Sequence, residues 1–254
     1  MRITRAVVPS LFTVLNMFCG FLSIVNASKG DILQASWLII LAAGFDALDG
    51  VMARITKSSS QFGVEIDSLS DVVSFGAAPA FLVYTVQLHT LDGFGILISS
   101  MLMVFAGLRL ARFNVNLVGF EKDHFVGLPT PMSALTVASF TINYWSPAAG
   151  LGVESVILPY LTVALGLLMV SKVKYDTLPK ISRRALEREP WKFIFLALAI
   201  VVVFVTAGDA IFPLFVLFIA LGIVRYIGSM VKHILHHEQK RKEEESAEPT
   251  SADI

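Results

Sequence analysis

The chain has 254 residues, of which 55% are hydrophobic and 16% charged, and its mean hydropathy is +0.72. Soluble domains carry about 25% charged residues, so this composition indicates a polytopic membrane protein and excludes a disordered chain, a coiled coil and a disulfide scaffold. The 20 basic and 20 acidic residues balance, so no nucleic-acid partner is expected, and the single cysteine, Cys19, cannot form an internal disulfide.

Long apolar runs follow one another along most of the chain. A helix needs about 20 mostly apolar residues to cross roughly 30 Å of hydrocarbon. The runs are continuously apolar rather than alternating, which indicates helices rather than a barrel. They predict about eight transmembrane helices, near Val8–Ala27, Ile32–Ile55, Asp71–Leu91, Gly93–Phe113, Pro131–Trp145, Val156–Ser171, Trp191–Ala207 and Ala210–Val231.

Charge indicates how these helices are oriented, because cytoplasmic loops are enriched in Lys and Arg. With the N-terminus inside, Lys29 is the only basic residue of the predicted outer loops. We therefore expect an even number of spans with both termini cytoplasmic. The short fifth run is needed, since dropping it would invert every later span. The predicted fold is an all-α, multi-pass protein of the cell membrane.

Ionisable residues in or near a membrane span are costly and usually functional, and here they cluster. Asp46 and Asp49 share one face at the inner end of the predicted second helix. Asp67 and Asp71 are one turn apart at the start of the predicted third helix. Because a short polar loop joins the two helices, the four carboxylates are expected to converge at the cytoplasmic face.

Four carboxylates in a partly desolvated site repel one another, so either some are protonated or they bind cations. Oxygen ligands favour hard ions such as Mg²⁺, Mn²⁺ or Ca²⁺, and two bridged metals suit phosphoryl chemistry. Gly50, Ala53 and Gly63 remove bulk beside the carboxylates, which either lets helices pack closely or lets a ligand reach the metals. A structural ion cluster and a cation pathway stay open at this point.

The segment from Asp46 to Asp71 reads Asp-x₂-Asp-Gly-x₂-Ala-Arg-x₈-Gly-x₃-Asp-x₃-Asp. It resembles the signature of the CDP-alcohol phosphotransferase family at every fixed position. Further stretches resemble the membrane-embedded members that make phosphatidylserine, namely Pro9–Asn16, Asp67–Pro79, Leu108–Asn114 and Gly127–Pro131. One departure is Ser10, where relatives often have Asn.

The resemblance covers roughly residues 1–175, which form a six-helix CDP-alcohol phosphotransferase core in that family. Residues 176–232 then carry two additional transmembrane helices, and residues 233–254 form a polar cytoplasmic tail. The resemblance also implies a homodimer in the lipid bilayer, with the active site on the cytosolic face.

The activity that the resemblance implies is the transfer of a phosphatidyl group from CDP-diacylglycerol to the hydroxyl of L-serine, with release of CMP. It implies two divalent cations, Mg²⁺ or Mn²⁺, on four aspartates, of which Asp71 is also the catalytic base. The metal ligands are Asp46, Asp49, Asp67 and Asp71. The implied CDP-lipid site is Gly50, Ala53, Arg54 and Gly63, with Arg54 on phosphate.

Serine carries a carboxylate, so a cationic partner is expected. Arg109 and Arg112 lie one turn apart near the inner end of the fourth helix, and arginine forks bind carboxylates bidentately. Asn114 can add a hydrogen bond, so we expect these three residues to bind the acceptor. That the two arginines are positive-inside anchors, or partners of the aspartates, stays an alternative.

Three other functions compete with this interpretation. A family member using glycerol phosphate or an inositol compound would need a denser basic pocket than Arg109 and Arg112 provide. A cation transporter that used the aspartates would show inverted repeats and carboxylates near mid-membrane, and neither is visible. A catalytically inactive membrane scaffold is disfavoured because the set of four aspartates is intact.

Overall fold

The computed structural model describes residues 7–56, 61–116, 124–176, 202–203, 205–206 and 208–247, and most of these are helical. The α-helices in this part of the chain are α1 (Val7–Ser28), α2 (Ile32–Thr56), α3 (Gln61–Asp71), α4 (Ala78–Val86), α5 (Asp92–Asn116), α6 (Thr130–Tyr144), α7 (Ile157–Val170) and α8 (Ile211–Ala247). A π-helix, Val72–Ala77, joins α3 to α4, and short 3₁₀ helices, Leu88–Leu91 and Val153–Val156, precede α5 and α7.

Six helical stretches within the described ranges are long and apolar enough to cross a membrane: Leu11–Ser28, Ile32–Ala53, Gln61–Val86, Leu88–Val115, Val153–Val170 and Ile211–Lys232. They correspond to six of the predicted spans. The predicted fifth span is the 15-residue helix α6, which is about 22 Å long at 1.5 Å per residue and therefore short for a full crossing. The predicted seventh span, Trp191–Ala207, lies largely outside the described residues.

The third membrane-crossing stretch begins at Gln61 rather than at the predicted Asp71. The residues before Asp71 are too polar to be recognised as part of a span by their hydropathy. They form a helix whose apolar side chains Phe62 and Leu69 point outwards, while Ser70 and Asp71 are buried. Asp67 and Asp71 therefore lie inside a continuous helical stretch.

Helix α1 is the scaffold on which the carboxylate-bearing helices pack. A turn at Lys29–Gly30 reverses the chain, so α1 lies alongside α2, and α1 also packs against α3, the π-helix and α4. A methyl group at Gly20 would lie 2.6 Å from the Cα of Ser74, so only glycine permits this approach of α1 to the π-helix. Helix α6 packs on α2, and α7 packs on α5.

Two short antiparallel strand pairs lie beside the helices. Strand β1 (His124–Val126) pairs antiparallel with β4 (Lys174–Asp176), with Phe125 opposite Tyr175. A second antiparallel pair, β2 (Trp145–Ser146) and β3 (Gly150–Leu151), lies beyond the C-terminal end of α6. Gly127 follows β1 with φ of +85°, a left-handed conformation that favours glycine, and its N–H donates to the Val173 carbonyl.

Helix α8 docks on this framework through aromatic side chains. Phe212 contacts Phe140 and Tyr144, with ring centroids 5.2 and 5.6 Å apart, and Phe218 stacks on Tyr175 at 6.0 Å. The Tyr175 ring also lies directly against Gly222. Helix α8 continues to Ala247, so much of the predicted polar tail is helical.

Candidate active site

Three aspartates from two helices meet in one place. A carboxylate oxygen from each of Asp46, Asp67 and Asp71 lies within 4.8 Å of the other two. Asp46 comes from α2, while Asp67 and Asp71 lie on successive turns of α3. The spacing in the sequence predicted this convergence, and the structure brings these side chains together between the two helices.

The fourth aspartate, Asp49, lies beside the other three, and a side chain of α1 donates a hydrogen bond to it. Its Oδ2 accepts a hydrogen bond of 2.6 Å from the Thr13 hydroxyl. Asp49 is close enough to Asp46 and Asp67 for their negative charges to repel. Its other oxygen, Oδ1, is buried and has no hydrogen-bond donor within the described residues. The four carboxylates thus form one electrostatic unit, which we call the carboxylate cluster.

Helix α1 also reaches Asp71. The Asn16 side-chain amide, fully buried, donates from Nδ2 to Asp71 Oδ1 at 3.4 Å. Ser70 and Ser74, which flank Asp71, donate to the carbonyls of Thr13 and Asn16 at 3.0 and 2.8 Å. The α3–π-helix segment is therefore fastened to α1 on both sides of the aspartate.

The π-helix that starts directly after Asp71 ends two residues before Pro79. Pro79 lacks an N–H, so the carbonyl of Phe75 cannot receive an ordinary α-helical bond. The N–H of Ala78 donates to the Val73 carbonyl five residues back, which widens the turn. π-Helical turns are often found at functional sites. The proline was visible in the sequence, but the π-helical turn before it was not predicted.

The donor set of the carboxylate cluster fits hard divalent cations. Its ligand atoms are carboxylate oxygens, which Mg²⁺ and Mn²⁺ prefer over nitrogen or sulfur. Four neighbouring carboxylates repel one another unless positive charge is brought among them. The buried Asp49 Oδ1, without a donor in the described part of the chain, is an atom that a cation would satisfy.

Among the residues predicted to bind the acceptor, the structure separates Arg109 from Arg112. Arg109 is buried, and its guanidinium interacts electrostatically with Asp71. Arg112 instead donates to the backbone carbonyls of Val126, Val170 and Ser171 at 3.1–3.4 Å. It therefore ties β1 to the C-terminal end of α7, where backbone carbonyls lack helical partners.

Asn114 lies next to the carboxylate cluster rather than in it. Its Nδ2 donates to the Ser68 hydroxyl at 2.9 Å, and Ser68 follows Asp67 in α3. This bond connects the end of α5 to the turn of α3 that carries Asp67 and Asp71.

The small residues predicted to shape the CDP-lipid site lie at the exposed side of the cluster. Gly50 follows Asp49, and a methyl group placed there would meet no atom within 4 Å. Ala53 and Gly63 are partly exposed. The side chain of Arg54 lies outside the described residues, as does the polar loop that joins α2 to α3.

Comparison with known proteins agrees with this architecture. The family model described as CDP-alcohol phosphatidyltransferase matches residues 6–170, a range that spans α1 to α7 and includes every aspartate of the cluster. The chain belongs to the CDP-alcohol phosphatidyltransferase family and is a membrane-embedded transferase.

Individual relatives show which members of the family this chain is similar to in sequence. The CDP-diacylglycerol–serine O-phosphatidyltransferase of Helicobacter pylori strain J99 is 34% identical over 233 residues, which cover 90% of this chain and 94% of the relative. The enzyme of that name from Bacillus subtilis is 34% identical over 72% of this chain and 98% of its own length. The archaetidylserine synthase of Methanothermobacter thermautotrophicus is 38% identical over 66% of this chain and 68% of the relative.

Proposed function

We propose that this chain is a metal-dependent CDP-diacylglycerol–serine O-phosphatidyltransferase. The observation that carries the proposal is the carboxylate cluster, which lies on the family signature in a chain that resembles serine-specific relatives over nearly its full length. Asp46, Asp49, Asp67 and Asp71 would hold two divalent cations, Mg²⁺ or Mn²⁺. When bound, these cations would neutralise the pyrophosphate and stabilise the departing CMP.

The residues of the chain would divide the remaining work. Asp71 would accept the proton of the serine hydroxyl as the serine Oγ–P bond forms and the P–O bond to CMP breaks. Arg109, the buried cation nearest to Asp71 among the acceptor candidates, would bind the serine carboxylate. Arg112 and Asn114 would support this site through the contacts described above. Gly50, Ala53, Arg54 and Gly63 would receive the CDP moiety.

The depth of the carboxylate cluster supports an enzyme rather than a cation transporter. Asp46 and Asp49 lie about 21 and 26 Å along α2 from its first residue, in a span of about 32 Å, so both are displaced from its midpoint towards one membrane face. A transporter site is expected near the midplane. Near one face, lipid tails can lie between helices while serine and nucleotide enter from water.

The proposed arrangement in the membrane is eight spans with both termini and the active site in the cytosol, in the cell membrane. A family core of residues 1–175 would be followed by two further spans, 176–232, and a polar tail, 233–254. The range of the family model, which ends at residue 170, supports that division. A homodimer is the proposed oligomeric state.

The test is CMP release by the purified protein in detergent. CDP-diacylglycerol is supplied with Mg²⁺ or Mn²⁺ and with L-serine, glycerol 3-phosphate or inositol phosphate as the acceptor. We expect release with serine only, and loss of release on chelation. Release with another acceptor would keep the family and overturn the acceptor. Because an archaeal relative is named for an ether lipid, CDP-archaeol is compared with CDP-diacylglycerol as the donor.

Asp71→Asn is the matched variant in this assay. The substitution keeps the size of the side chain but removes its ability to accept the serine proton, so we expect turnover to fall by about 10²-fold or more. Binding of CDP-diacylglycerol, measured separately by calorimetry, should change little. Unchanged turnover would remove Asp71 as the base.

A further inference from the structure

We infer that Thr13 and Asn16 of α1 are positioning residues that set the orientation of the Asp49 and Asp71 carboxylates. This inference rests on the proposed function, in which those carboxylates hold metal ions and accept a proton. Neither residue belongs to the family signature segment from Asp46 to Asp71. Both lie in the stretch Pro9–Asn16, which resembles relatives but carries no aspartate of the cluster.

The first support is the pattern of buried polar groups on α1. Thr13 and Asn16 are 2% and 0% exposed in a helix of a membrane protein, where a buried polar side chain is costly unless it is bonded. They are three residues apart and so lie on one face of the helix. That face is the one that packs on α2, α3 and the π-helix.

The second support is the selectivity of their contacts. Thr13 bonds one oxygen of Asp49, at 2.6 Å, and Asn16 bonds one oxygen of Asp71, at 3.4 Å. In each case one carboxylate oxygen is occupied by α1, which leaves the other to face the rest of the site. Hydrogen bonds from outside the ligand set fix ligand orientation in metal sites, and their loss typically lowers metal affinity 10- to 100-fold.

The third support is that α1 and the segment around Asp71 are also joined by hydrogen bonds to the backbone of α1. The carbonyls of Thr13 and Asn16 accept bonds from Ser70 and Ser74, on either side of Asp71. A rotation of α1 would therefore displace the side-chain donors and the backbone of the base together. The register between α1 and α3 is thus linked to the orientation of the carboxylates.

The experiment on Thr13 measures metal binding without substrates. Purified variants in detergent are titrated with Mn²⁺ and followed by electron paramagnetic resonance of the free ion. Thr13→Val keeps the side-chain shape and removes the hydroxyl, and we expect Mn²⁺ affinity to fall about tenfold. Thr13→Ser keeps the hydroxyl and should restore most of the affinity.

Two control variants match this substitution. Ser23→Ala removes a buried hydroxyl of the same helix, which bonds the Ala35 carbonyl away from the carboxylate cluster. Thr162→Val repeats the same chemical change in α7, where the hydroxyl bonds only the Leu158 carbonyl. Both should bind Mn²⁺ like the wild type. If Thr13→Val also binds like the wild type, or if Ser23→Ala loses as much affinity, the inference about Thr13 is wrong.

Asn16 is tested by the separation of kcat from KM. Asn16→Leu keeps the branched shape of the side chain and removes the amide donor, and we expect kcat to fall about tenfold with little change in either KM, because the aligned base is needed in the transition state. Asn16→Ser, with a smaller donor, should lose less and serves if the leucine variant does not fold. Equal changes of both KM values, or an unchanged kcat, would assign Asn16 to helix packing alone.

Failure of the proposed reaction and failure of the Thr13 assignment give different experimental results. If the wild type binds Mn²⁺ but releases no CMP with serine, the proposed reaction fails while the Thr13 result still stands. If the wild type binds no Mn²⁺, the metal site is overturned and the role of Thr13 falls with it.

Discussion

Gly50 and Gly44 both lie in α2, both are exposed, and a methyl group added at either would meet no atom within 4 Å. Alanine at either position should therefore stabilise the helix by about 0.5–1 kcal/mol. Only Gly50 adjoins the carboxylate cluster, where the open space is proposed to receive CDP. Comparing alanine variants at the two positions thus tests whether the open space beside Gly50 is used by a ligand.

We expect Gly50→Ala to weaken CDP-diacylglycerol binding by about 1–3 kcal/mol, or roughly 5- to 150-fold, because the added methyl group occupies ligand space. Gly44→Ala should leave KM for the lipid unchanged. Thermal unfolding of both variants is the check that each folds. Equal KM values for the two variants would show that the space beside Gly50 is not used by the substrate.

Tyr175 offers a second prediction for a single residue, outside the predicted spans. Its side chain is 1% exposed, its hydroxyl has no hydrogen-bond partner within the described residues, and burial raises its pKa from 10.0 to about 12. A raised pKa in the folded state means that the neutral phenol is favoured by folding. Its contribution to stability is therefore complete below pH 10 and is lost as the pH rises towards 12.

Tyr175→Phe should raise the stability at neutral pH by about 1 kcal/mol, since an unbonded buried hydroxyl is removed. It should also reduce the loss of Tm above pH 10. Tyr160→Phe, at a position 75% exposed, is the control. Tm is measured for the three proteins from pH 7 upwards. Parallel curves for Tyr175→Phe and the wild type at alkaline pH would mean that the phenol finds a partner.

The limits of sequence reasoning are clear at the level of helices. The spacing of the aspartates within α2 and α3 predicted their convergence, because a helix has a fixed period. Thr13 lies 36 residues from Asp49, so its hydrogen bond depends on how α1 packs and not on any local pattern. The π-helix likewise depends on a backbone bond, from the Ala78 N–H to the Val73 carbonyl five residues back, that the hydropathy pattern does not reveal.

Arg109 and Arg112 lie in the same helix, but their side chains have different contacts. Arg109 and Arg112 are one turn apart, and the sequence offered both as ligands of serine. In the structure the Arg112 guanidinium is directed at backbone carbonyls of β1 and of the end of α7. Its direction depends on the positions of the Val126, Val170 and Ser171 carbonyls, which the sequence pattern does not specify.

We therefore expect Arg112→Ala to destabilise the protein by about 2 kcal/mol, because several charge-assisted bonds to backbone carbonyls are lost. The KM values for serine and for CDP-diacylglycerol should change together or not at all. Arg112→Lys should rescue only part of the stability, since an ammonium cannot span the three carbonyls in the geometry of a fork. Arg109→Ala is the comparison variant and should raise the serine KM selectively.

A selective rise of the serine KM in Arg112→Ala, with an unchanged Tm, would contradict this assignment. It would return Arg112 to the acceptor site that the sequence suggested. Kinetics and thermal unfolding must be measured on the same preparations, so that a fraction of unfolded protein is not counted as a loss of substrate affinity.

The whole molecule has two ends that differ in chemistry. The turn between α1 and α2 carries Lys29 and Asp31, whereas the other end of α2 carries the carboxylate cluster. At 1.5 Å per residue, the 25 residues of α2 are about 37 Å long, which is more than the hydrocarbon thickness of a bilayer, and Asp46 and Asp49 lie about 21 and 26 Å from its first residue. In the proposed reaction, which end faces the cytosol decides whether serine enters from the cytosol and CMP is released into it.

Single cysteines test this orientation, because the chain has one native cysteine, Cys19, and it is buried. In a Cys19→Ala parent, Lys29→Cys should react with a membrane-impermeant maleimide in intact cells, and Gln61→Cys only after permeabilisation. Both native positions are exposed, so accessibility of the side chain does not limit either reaction. The parent without cysteine should remain unlabelled. The opposite pattern would put the carboxylate cluster on the outer face, and labelling of both from outside would mean that α2 does not cross the membrane.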